Sequence, residues 1–239
     1  MENIARHILT PALKAAWPIM AGYVVLGIPC GFLAQAAGLE WWMALLMSFV
    51  LYSGVGQYMI PNMWLAGNPL ASIILSVSLV NTRQMLYGAS LSRFCAQAGK
   101  RLSYIFGATV TDESFGVNLA LLEQGDWGIK RATAVNFFSM TTWALANAAG
   151  VLIAGAVSLP TALASSAMTA LFICLLCMQA PTVSNLVAAM GAAVGVVVCK
   201  LVGLSGMAIF IGAVIGVAAA MLVPTSACSE GEASRGDQA

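Results

Sequence analysis

Charged residues are absent from long stretches of this sequence, and that absence limits its fold more than any other feature. Residues 41–82 and 132–199 contain no Asp, Glu, Lys or Arg. Of the 239 residues, 60% are hydrophobic and 8% are charged, about a third of the usual charged share. A water-facing surface cannot be built from 10 basic and 9 acidic residues, whereas a bilayer accepts outward-facing apolar side chains. The composition predicts an integral membrane protein, and a net charge of +1 without a concentrated basic face argues against nucleic acid as a partner.

Charges and turn residues divide the chain into eight apolar segments, most with the ~20 residues that a spanning helix needs. They lie at roughly 16–37, 42–66, 70–92, 102–123, 131–156, 161–180, 181–202 and 204–223. The predicted fold class is all-α, a polytopic membrane protein with about seven spanning helices. The single transmembrane domain covers residues 1–223, and the polar residues 224–239 are predicted to form a disordered tail.

The basic residues indicate which ends of these segments face the cytoplasm. They concentrate before the first segment and after the third, as Arg6, Lys14, Arg93, Lys100 and Arg101. Both groups can face the cytoplasm, as does the N-terminus, only if one of the first three segments does not cross. Segment 42–66 is the best candidate, because Ser53-Gly54-Val55-Gly56-Gln57 interrupts it. It is predicted to enter and return as a re-entrant pair of half-helices; a single kinked spanning helix is the alternative.

The segment lengths also suggest a duplication, with related units at 16–123 and 131–223. Gly31 and Ala44 precede Gly150 and Ala162 by 119 and 118 residues. An odd number of crossings in the first unit would invert the second one, an arrangement common in secondary transporters. An inverted repeat is therefore expected.

Ionisable side chains far from segment ends are the best candidates for a functional site, because a charge at the bilayer centre costs at least ~2.5–3.5 kcal/mol. Arg83, Asp112 and Glu113 meet this description. Arg83 and the two carboxylates are at similar distances from the basic loop, so Arg83 is expected to approach one of them. A polar cavity is favoured by the nearby Asn81, Gln84, Thr109, Thr111 and Ser114. The alternative is an ion pair that merely fixes helix register.

A second polar focus is the stretch Gly27-Ile28-Pro29-Cys30-Gly31. Proline removes a backbone donor and glycine loosens a helix, so freed backbone groups there could bind a zwitterion; a simple kink packed against another helix is the alternative. Weaker polar candidates stand alone on their segments: Gln57, Asn136, Asn147, Gln179 and Lys200. The six cysteines and the single histidine, His7, predict neither a metal site nor a cofactor.

These residues together give the sequence a resemblance to the AzlC family, the large subunit of bacterial branched-chain amino acid exporters. The motifs that carry it stand in order over about residues 16–120: Gly27-Ile-Pro29-Cys-Gly31, Ala37-Gly38-Leu39, Ser53-Gly54-Val55-Gly56-Gln57, Asn81-Thr-Arg83-Gln-Met-Leu86-Tyr87 and Thr111-Asp112-Glu113-Ser114-Phe115. Gln84 stands where the family pattern leads us to expect histidine, so no proton-relay role is carried over to that position.

The resemblance implies export of small apolar amino acids across the bacterial cytoplasmic membrane, driven by the proton gradient, with a small hydrophobic AzlD-type subunit as partner. No G-x-x-x-x-G-K-[ST] or H-E-x-x-H motif occurs, and Ser53 has no histidine within the membrane segments. ATP use by this chain and catalysis are therefore not expected. A channel or a non-transporting receptor subunit with a polar cavity is the alternative function.

Residue roles follow as hypotheses. Substrate contact is expected from Gly27, Pro29, Gly31, Gln57, Asn81 and Arg83. Arg83 offers a planar fork of donors that can hold a substrate carboxylate or an internal one. Asp112 is the expected internal partner, and Glu113 the expected proton carrier, because a carboxylate without a paired cation in an apolar site takes up a proton more readily.

Overall fold

The computed structural model of the chain describes residues 2–96, 98–156, 166, 169, 170, 173, 183–201 and 208–222. The predicted tail, 224–239, lies outside these residues, as do Gln179 and most of the predicted segment 161–180. The described residues 2–67 and 80–156 belong to one compact unit, and 68–79, 183–201 and 208–222 belong to a second.

Every regular element in the described part of the chain is helical, which confirms the all-α prediction. The helices are α1 (Glu2–Ala36), α2 (Trp41–Val50), α3 (Gly54–Leu65), α4 (Leu70–Leu91), α5 (Lys100–Ala108), α6 (Asp112–Glu123), α7 (Ile129–Ala156), α8 (Val183–Leu201) and α9 (Ala208–Met221). A short 3-10 turn, Ser92–Cys95, follows α4.

Three of the described helices are long and apolar enough to cross a membrane: His7–Ala36 within α1, Ile129–Ala156 and Val183–Leu201. Two of the eight apolar segments are divided, one as predicted and one not. Segment 42–66 becomes α2 and α3, and segment 102–123 becomes α5 and α6. The total of about seven crossings therefore stays a prediction.

Helices α1 and α7 pack tightly and run in the same direction. The Tyr23 and Trp143 rings have centroids 5.1 Å apart. Further along both helices, Gly27 faces Ala146 and Gly31 faces Gly150, so residue numbers increase in the same direction. A Cβ on Gly31 would overlap the Asn147 carbonyl oxygen, so glycine is needed for this close approach. If α7 repeats α1, as the offset of 119 residues suggests, these two helices share a direction, which is not what inverted units would give.

The first hairpin consists of α2 and α3. Ala44 of α2 packs beside Ala34 and Val151, and the chain then leaves the helix at Leu51–Ser53. At this tip Tyr52 shares a core cluster with Tyr23. Six residues later the Tyr58 hydroxyl donates to the Leu26 carbonyl at 2.5 Å. The interruption predicted in segment 42–66 is present, and the chain turns back toward the end from which it entered.

The second hairpin consists of α5 and α6, and here the prediction of one continuous helix over 102–123 was wrong. The α5 helix ends at Ala108, and α6 begins at Asp112. Arg93 contacts Glu123 at 2.6 Å, and Leu102 and Leu122 line one cavity of about 600 Å³ together with Ile8. Both ends of this hairpin thus lie where α1 and α7 begin, so the second hairpin also enters and returns at one end of the unit.

The second unit contains α8 and α9, which pack through small residues. A Cβ on Gly195 would lie 3.0 Å from the Gly212 Cα, and one on Gly191 would lie 3.3 Å from the Gly216 Cα. The residue numbers of the paired glycines increase along α8 and decrease along α9, so the two helices are antiparallel. Their small-residue spacing lets the two helices approach closely.

Candidate functional site

The tips of the two hairpins meet near the middle of the first unit. The Tyr23 hydroxyl of α1 lies 2.7 Å from Thr111 Oγ1 at the second tip and donates to Glu113 Oε2 at 2.8 Å. Tyr52, at the first tip, lies beside both Tyr23 and Thr111. We call this meeting point the tip site; its polar side chains are those of Tyr23, Ser53, Asn81, Arg83, Asp112 and Glu113.

The first tip supplies an uncharged helix start. Ser53 caps α3, because its hydroxyl accepts from the Gly56 amide at 3.1 Å and donates to Asn81 Oδ1 at 2.6 Å. A Cβ on Gly56 would lie 3.3 Å from Asn81 Nδ2, so glycine lets α4 come this close. No acidic residue stands in the first turn of α3. Free amides at such a helix start attract anions.

The second tip supplies a helix start that already carries negative charge. Thr111 and Ser114 form a reciprocal capping box, in which Ser114 Oγ accepts from the Thr111 amide at 2.9 Å. Asp112 and Glu113 fill the first turn of α6, where the helix dipole favours carboxylates. The two acids open a half-helix, and do not lie within a long one as the sequence suggested.

The contact expected between Arg83 and one carboxylate is present, with Arg83 Nη2 2.7 Å from Asp112 Oδ2. Tyr87 donates to the other oxygen, Oδ1, at 2.6 Å. The Arg83 and Asp112 side chains are 28% and 20% exposed, so neither member of the pair is completely buried in this unit. Arg83 Nε is buried and has no hydrogen-bond partner among the residues that the structure describes, so this donor is free of them.

Glu113 faces another helix. Whereas Asp112 contacts α4, Glu113 accepts from Tyr23 of α1, as expected for neighbouring residues about 100° apart on a helix. Within the described residues Glu113 forms no ion pair, and it is exposed. Two carboxylates and one arginine leave the tip site with an excess negative charge.

Several residues predicted to bind substrate make packing or hydrogen-bond contacts within the fold. The α1 helix is continuous through Pro29, and Gly27 and Gly31 pack against α7, which favours the kink alternative for that stretch. Gln57 is completely buried. Its amide oxygen accepts from Ser48 and from Trp143 Nε1, each at 3.0 Å, and its amide nitrogen donates to the Leu51 carbonyl at 2.6 Å. Gln57 therefore fastens the first tip.

The second tip is fastened by Asn136 of α7, also completely buried. Asn136 Nδ2 donates to Thr109 Oγ1 at 3.2 Å and contacts the Phe106 carbonyl at 3.4 Å. Its oxygen accepts from Asn118 Nδ2 at 2.8 Å. Both helix breaks are thus hydrogen-bonded to α7, one through Trp143 and the other through Asn136.

Sequence reasoning missed Tyr23, Tyr52 and Trp143 at or beside the tip site. An isolated aromatic residue in an apolar segment usually means core packing or an interface anchor, so no local signal marked them. The remaining weak candidates are elsewhere: Asn147 donates to the Trp143 carbonyl within α7, and Lys200 lies in α8. Among the described residues, no group of three His, Cys, Asp or Glu side chains is arranged to hold a metal ion.

Comparison with known proteins relates most of the first unit to a known protein family. The family model described as AzlC protein matches residues 18–157, which include the whole tip site. A Helicobacter pylori protein described as an uncharacterized membrane protein is 28% identical, over 75% of this chain and 80% of that one. The Bacillus subtilis branched-chain amino acid transport protein AzlC is 32% identical, over 65% of this chain and 61% of its own length. The Escherichia coli inner membrane protein YgaZ is 27% identical, over 57% of each chain. No solved structure matches.

Proposed function

This chain belongs to the AzlC family, and we propose that it is the large subunit of a secondary transporter for branched-chain or other small apolar amino acids. The observation that carries the proposal is the tip site, where an uncharged helix start, an arginine and two carboxylates converge. A relative is described as a branched-chain amino acid transport protein. Half-helices that meet inside a membrane unit are a recurring way to bind substrates in transporters.

The two helix starts suit the two ends of a zwitterion. The substrate carboxylate would lie between the first-turn amides of α3 and the guanidinium of Arg83, whose Nε has no partner. The substrate ammonium would face Glu113 and Asp112 at the start of α6. Arg83 would exchange Asp112 for the substrate carboxylate, so that binding loosens the contact between α4 and the second hairpin.

Direction and coupling extend this proposal. We assign export from the cytoplasm, with Glu113 carrying the coupled proton, since it is the tip-site carboxylate that has no cation beside it. The N-terminus is assigned to the cytoplasm because basic residues gather at the end of the unit where α1 begins. Lys130 and Arg131 line the same cavity as Ile8 and Phe94, and Arg93 and Lys100 flank the loop between α4 and α5. Basic residues favour the cytoplasmic side.

A labelling experiment tests the orientation. Single cysteines at Asn68, Ala98 and Gly125, in a background without native cysteines, are treated with an impermeant maleimide on spheroplasts and on inverted vesicles. We expect Asn68 to react from outside and Ala98 and Gly125 from inside. Reaction of Ala98 from outside would reverse the orientation, and opposite sides for Ala98 and Gly125 would refute the second hairpin.

The partner is proposed to be a small hydrophobic AzlD-type subunit, on the strength of the family resemblance. Expressed without it, the chain is expected to export no amino acid or to accumulate poorly. Full export by the purified chain alone would contradict the assignment of a partner subunit but would leave the proposed substrate unaffected.

Counterflow tests the transport function itself. The chain and its partner are reconstituted in liposomes loaded with unlabelled leucine, and labelled leucine is added outside. A carrier gives a transient accumulation of label above the equilibrium level, whereas a channel or a receptor subunit gives none. Arg93→Lys serves as the active control, because Arg93 pairs with the exposed Glu123 away from the tip site. Absence of an overshoot with leucine, isoleucine and valine would refute the proposal.

A further inference from the structure

We infer that α7 sets the positions of both helix starts at the tip site together, with Trp143 and Asn136 as its positioning residues. This deepens the proposed function, because it gives the two hairpins a shared support through which a change at one tip reaches the other. Neither residue is placed in contact with substrate.

Trp143 positions the first tip. Its indole Nε1 donates to Gln57 Oε1 at 3.0 Å, and Gln57 in turn holds the Leu51 carbonyl, where α2 ends. The Trp143 ring also lies 3.6 Å from an ideal Cβ on Gly54, the first residue of α3. Trp143 is 1% exposed, so it has no room to change its rotamer independently of its neighbours.

Asn136 positions the second tip. Its amide contacts the Phe106 carbonyl and the Thr109 hydroxyl in the last turn and cap of α5, and it is bonded to Asn118 of α6. One side chain of α7 therefore touches both halves of the second hairpin. Asn118, like Asn136, is completely buried, which keeps water from replacing these contacts.

The two positioning residues are joined rigidly. They are seven positions apart in α7, two helical turns or ~10.5 Å along one face. Tyr23 adds a second link, because its ring packs edge-on against Trp143 while its hydroxyl meets Thr111 and Glu113. Since glycines lock α1 against α7, a shift of α7 against the hairpins must move both helix starts.

Hydrogen exchange separates shared support from two independent fasteners. Trp143→Phe keeps the aromatic ring and removes the donor to Gln57, and Asn136→Ala removes the contacts to α5. Amide exchange is followed by mass spectrometry in peptides covering 51–56 and 109–115, with the full chain in lipid nanodiscs. We expect each variant to speed exchange at both tips, by about fivefold at its own tip and by a smaller, measurable factor at the other.

Matched controls are available in the same unit. Trp127→Phe is the same change at an indole whose Nε1 has no hydrogen-bond partner in the described part of the chain, so neither tip should respond. Asn147→Ala removes a buried α7 amide whose donor, among the described residues, bonds to the Trp143 carbonyl within α7, so it too should leave both tips unchanged. If each positioning variant speeds exchange only at its own tip, the shared support is refuted.

Transport gives an independent readout. In the presence of the partner subunit, each single variant should raise KM for leucine in counterflow more than it lowers the maximal rate. The double variant should be as active as the less active of the two single variants, because the two residues act as a unit. Effects that multiply would overturn the inference. If the unmodified protein shows no counterflow, the proposed function fails, while the exchange experiment still decides the role of α7.

Discussion

The two hairpins of the first unit are alike in outline and opposite in charge. Each enters, breaks and returns, and each break is hydrogen-bonded to α7. The first tip is fastened by neutral groups, those of Ser53, Gln57 and Asn81. The second tip carries two carboxylates in the first turn of its returning helix.

This difference suggests how one site can accept both ends of an amino acid. A helix start with free amides favours an anion, whereas a helix start already occupied by Asp and Glu offers negative charge to a cation. Two identical tips would attract two identical charges and would suit a zwitterion poorly. Arg83 lies at the junction and reinforces the anion side as long as Asp112 releases it.

The largest effect is expected where the neutral tip is fastened. Gln57→Met keeps the length of the side chain but leaves the buried Trp143 indole N–H without its acceptor. It also removes one of two bonds from the Ser48 hydroxyl, which still donates to the Ala44 carbonyl, and from the Leu51 carbonyl, which still accepts from the Ser53 amide. The unpaired indole N–H costs about 1–3 kcal/mol and each of the two other lost hydrogen bonds about 0.5–1.5 kcal/mol, so the variant should lose about 2–4 kcal/mol of stability. Thermal unfolding in detergent measures it. Gln84→Met is the control, since Gln84 makes one partly buried bond to the Tyr52 carbonyl; an equal loss there would show that the first tip is not specially dependent on Gln57.

The next effect concerns the junction between the two tips. Arg83→Lys keeps the charge but loses the planar fork, so transport should fall roughly tenfold or more. The assay is the initial rate of counterflow at saturating and limiting leucine. Arg93→Lys, at an exposed pair, should remain within about twofold of the unmodified protein. If the Arg83→Lys protein is as active as the unmodified protein, Arg83 makes only a structural contact and does not bind substrate.

How much of this could be read from the sequence differs between the hairpins. The first break was predictable because Gly54 and Gly56 interrupt an apolar run. The second was missed because Thr109-Val110-Thr111 contains neither Gly nor Pro; its signal was the cap, Thr111 followed three residues later by Ser114, with acids in the first turn. Opposite charges at matching distances from the loop predicted the contact between Arg83 and Asp112.

Other features depend on tertiary packing and leave no local mark. In the sequence, Tyr23 is an ordinary aromatic residue of an apolar segment. Only the packing of α1 against the second tip brings its hydroxyl to Glu113. Gln57 and Asn81 look alike as isolated amides, yet one is fully engaged in the core and the other reaches the cap of α3. The parallel course of α1 and α7 goes with two hairpins between them, of which the sequence predicted only the first.

A third prediction separates exchange from coupling at the charged tip. Glu113→Gln keeps the size and the contact with Tyr23 but can no longer gain or lose a proton. At saturating leucine, where weaker binding of the ammonium no longer limits the rate, leucine exchange should stay within about twofold, while accumulation driven by an imposed pH gradient should disappear. Asp112→Asn, which leaves Arg83 facing an amide, should instead lower exchange or the yield of folded protein. Uphill transport by Glu113→Gln with an unchanged pH dependence would refute the proton-carrier assignment.

The smallest expected effect probes the charge difference between the tips directly, with fragments of the substrate as competitors. Isocaproate has the side chain and carboxylate of leucine without its amino group, and isoamylamine has the amino group without the carboxylate.

Ser53→Ala removes the cap of α3 and the bond to Asn81, so inhibition by isocaproate should weaken by about fivefold while inhibition by isoamylamine is unchanged. Glu113→Gln should show the reverse, because it removes negative charge where the ammonium binds. Ser92→Ala, an exposed serine bonded to the Ala89 carbonyl, should change neither value. If both variants weaken both competitors equally, the tips do not divide the zwitterion between them, and the opposite charges of the two hairpins need another explanation.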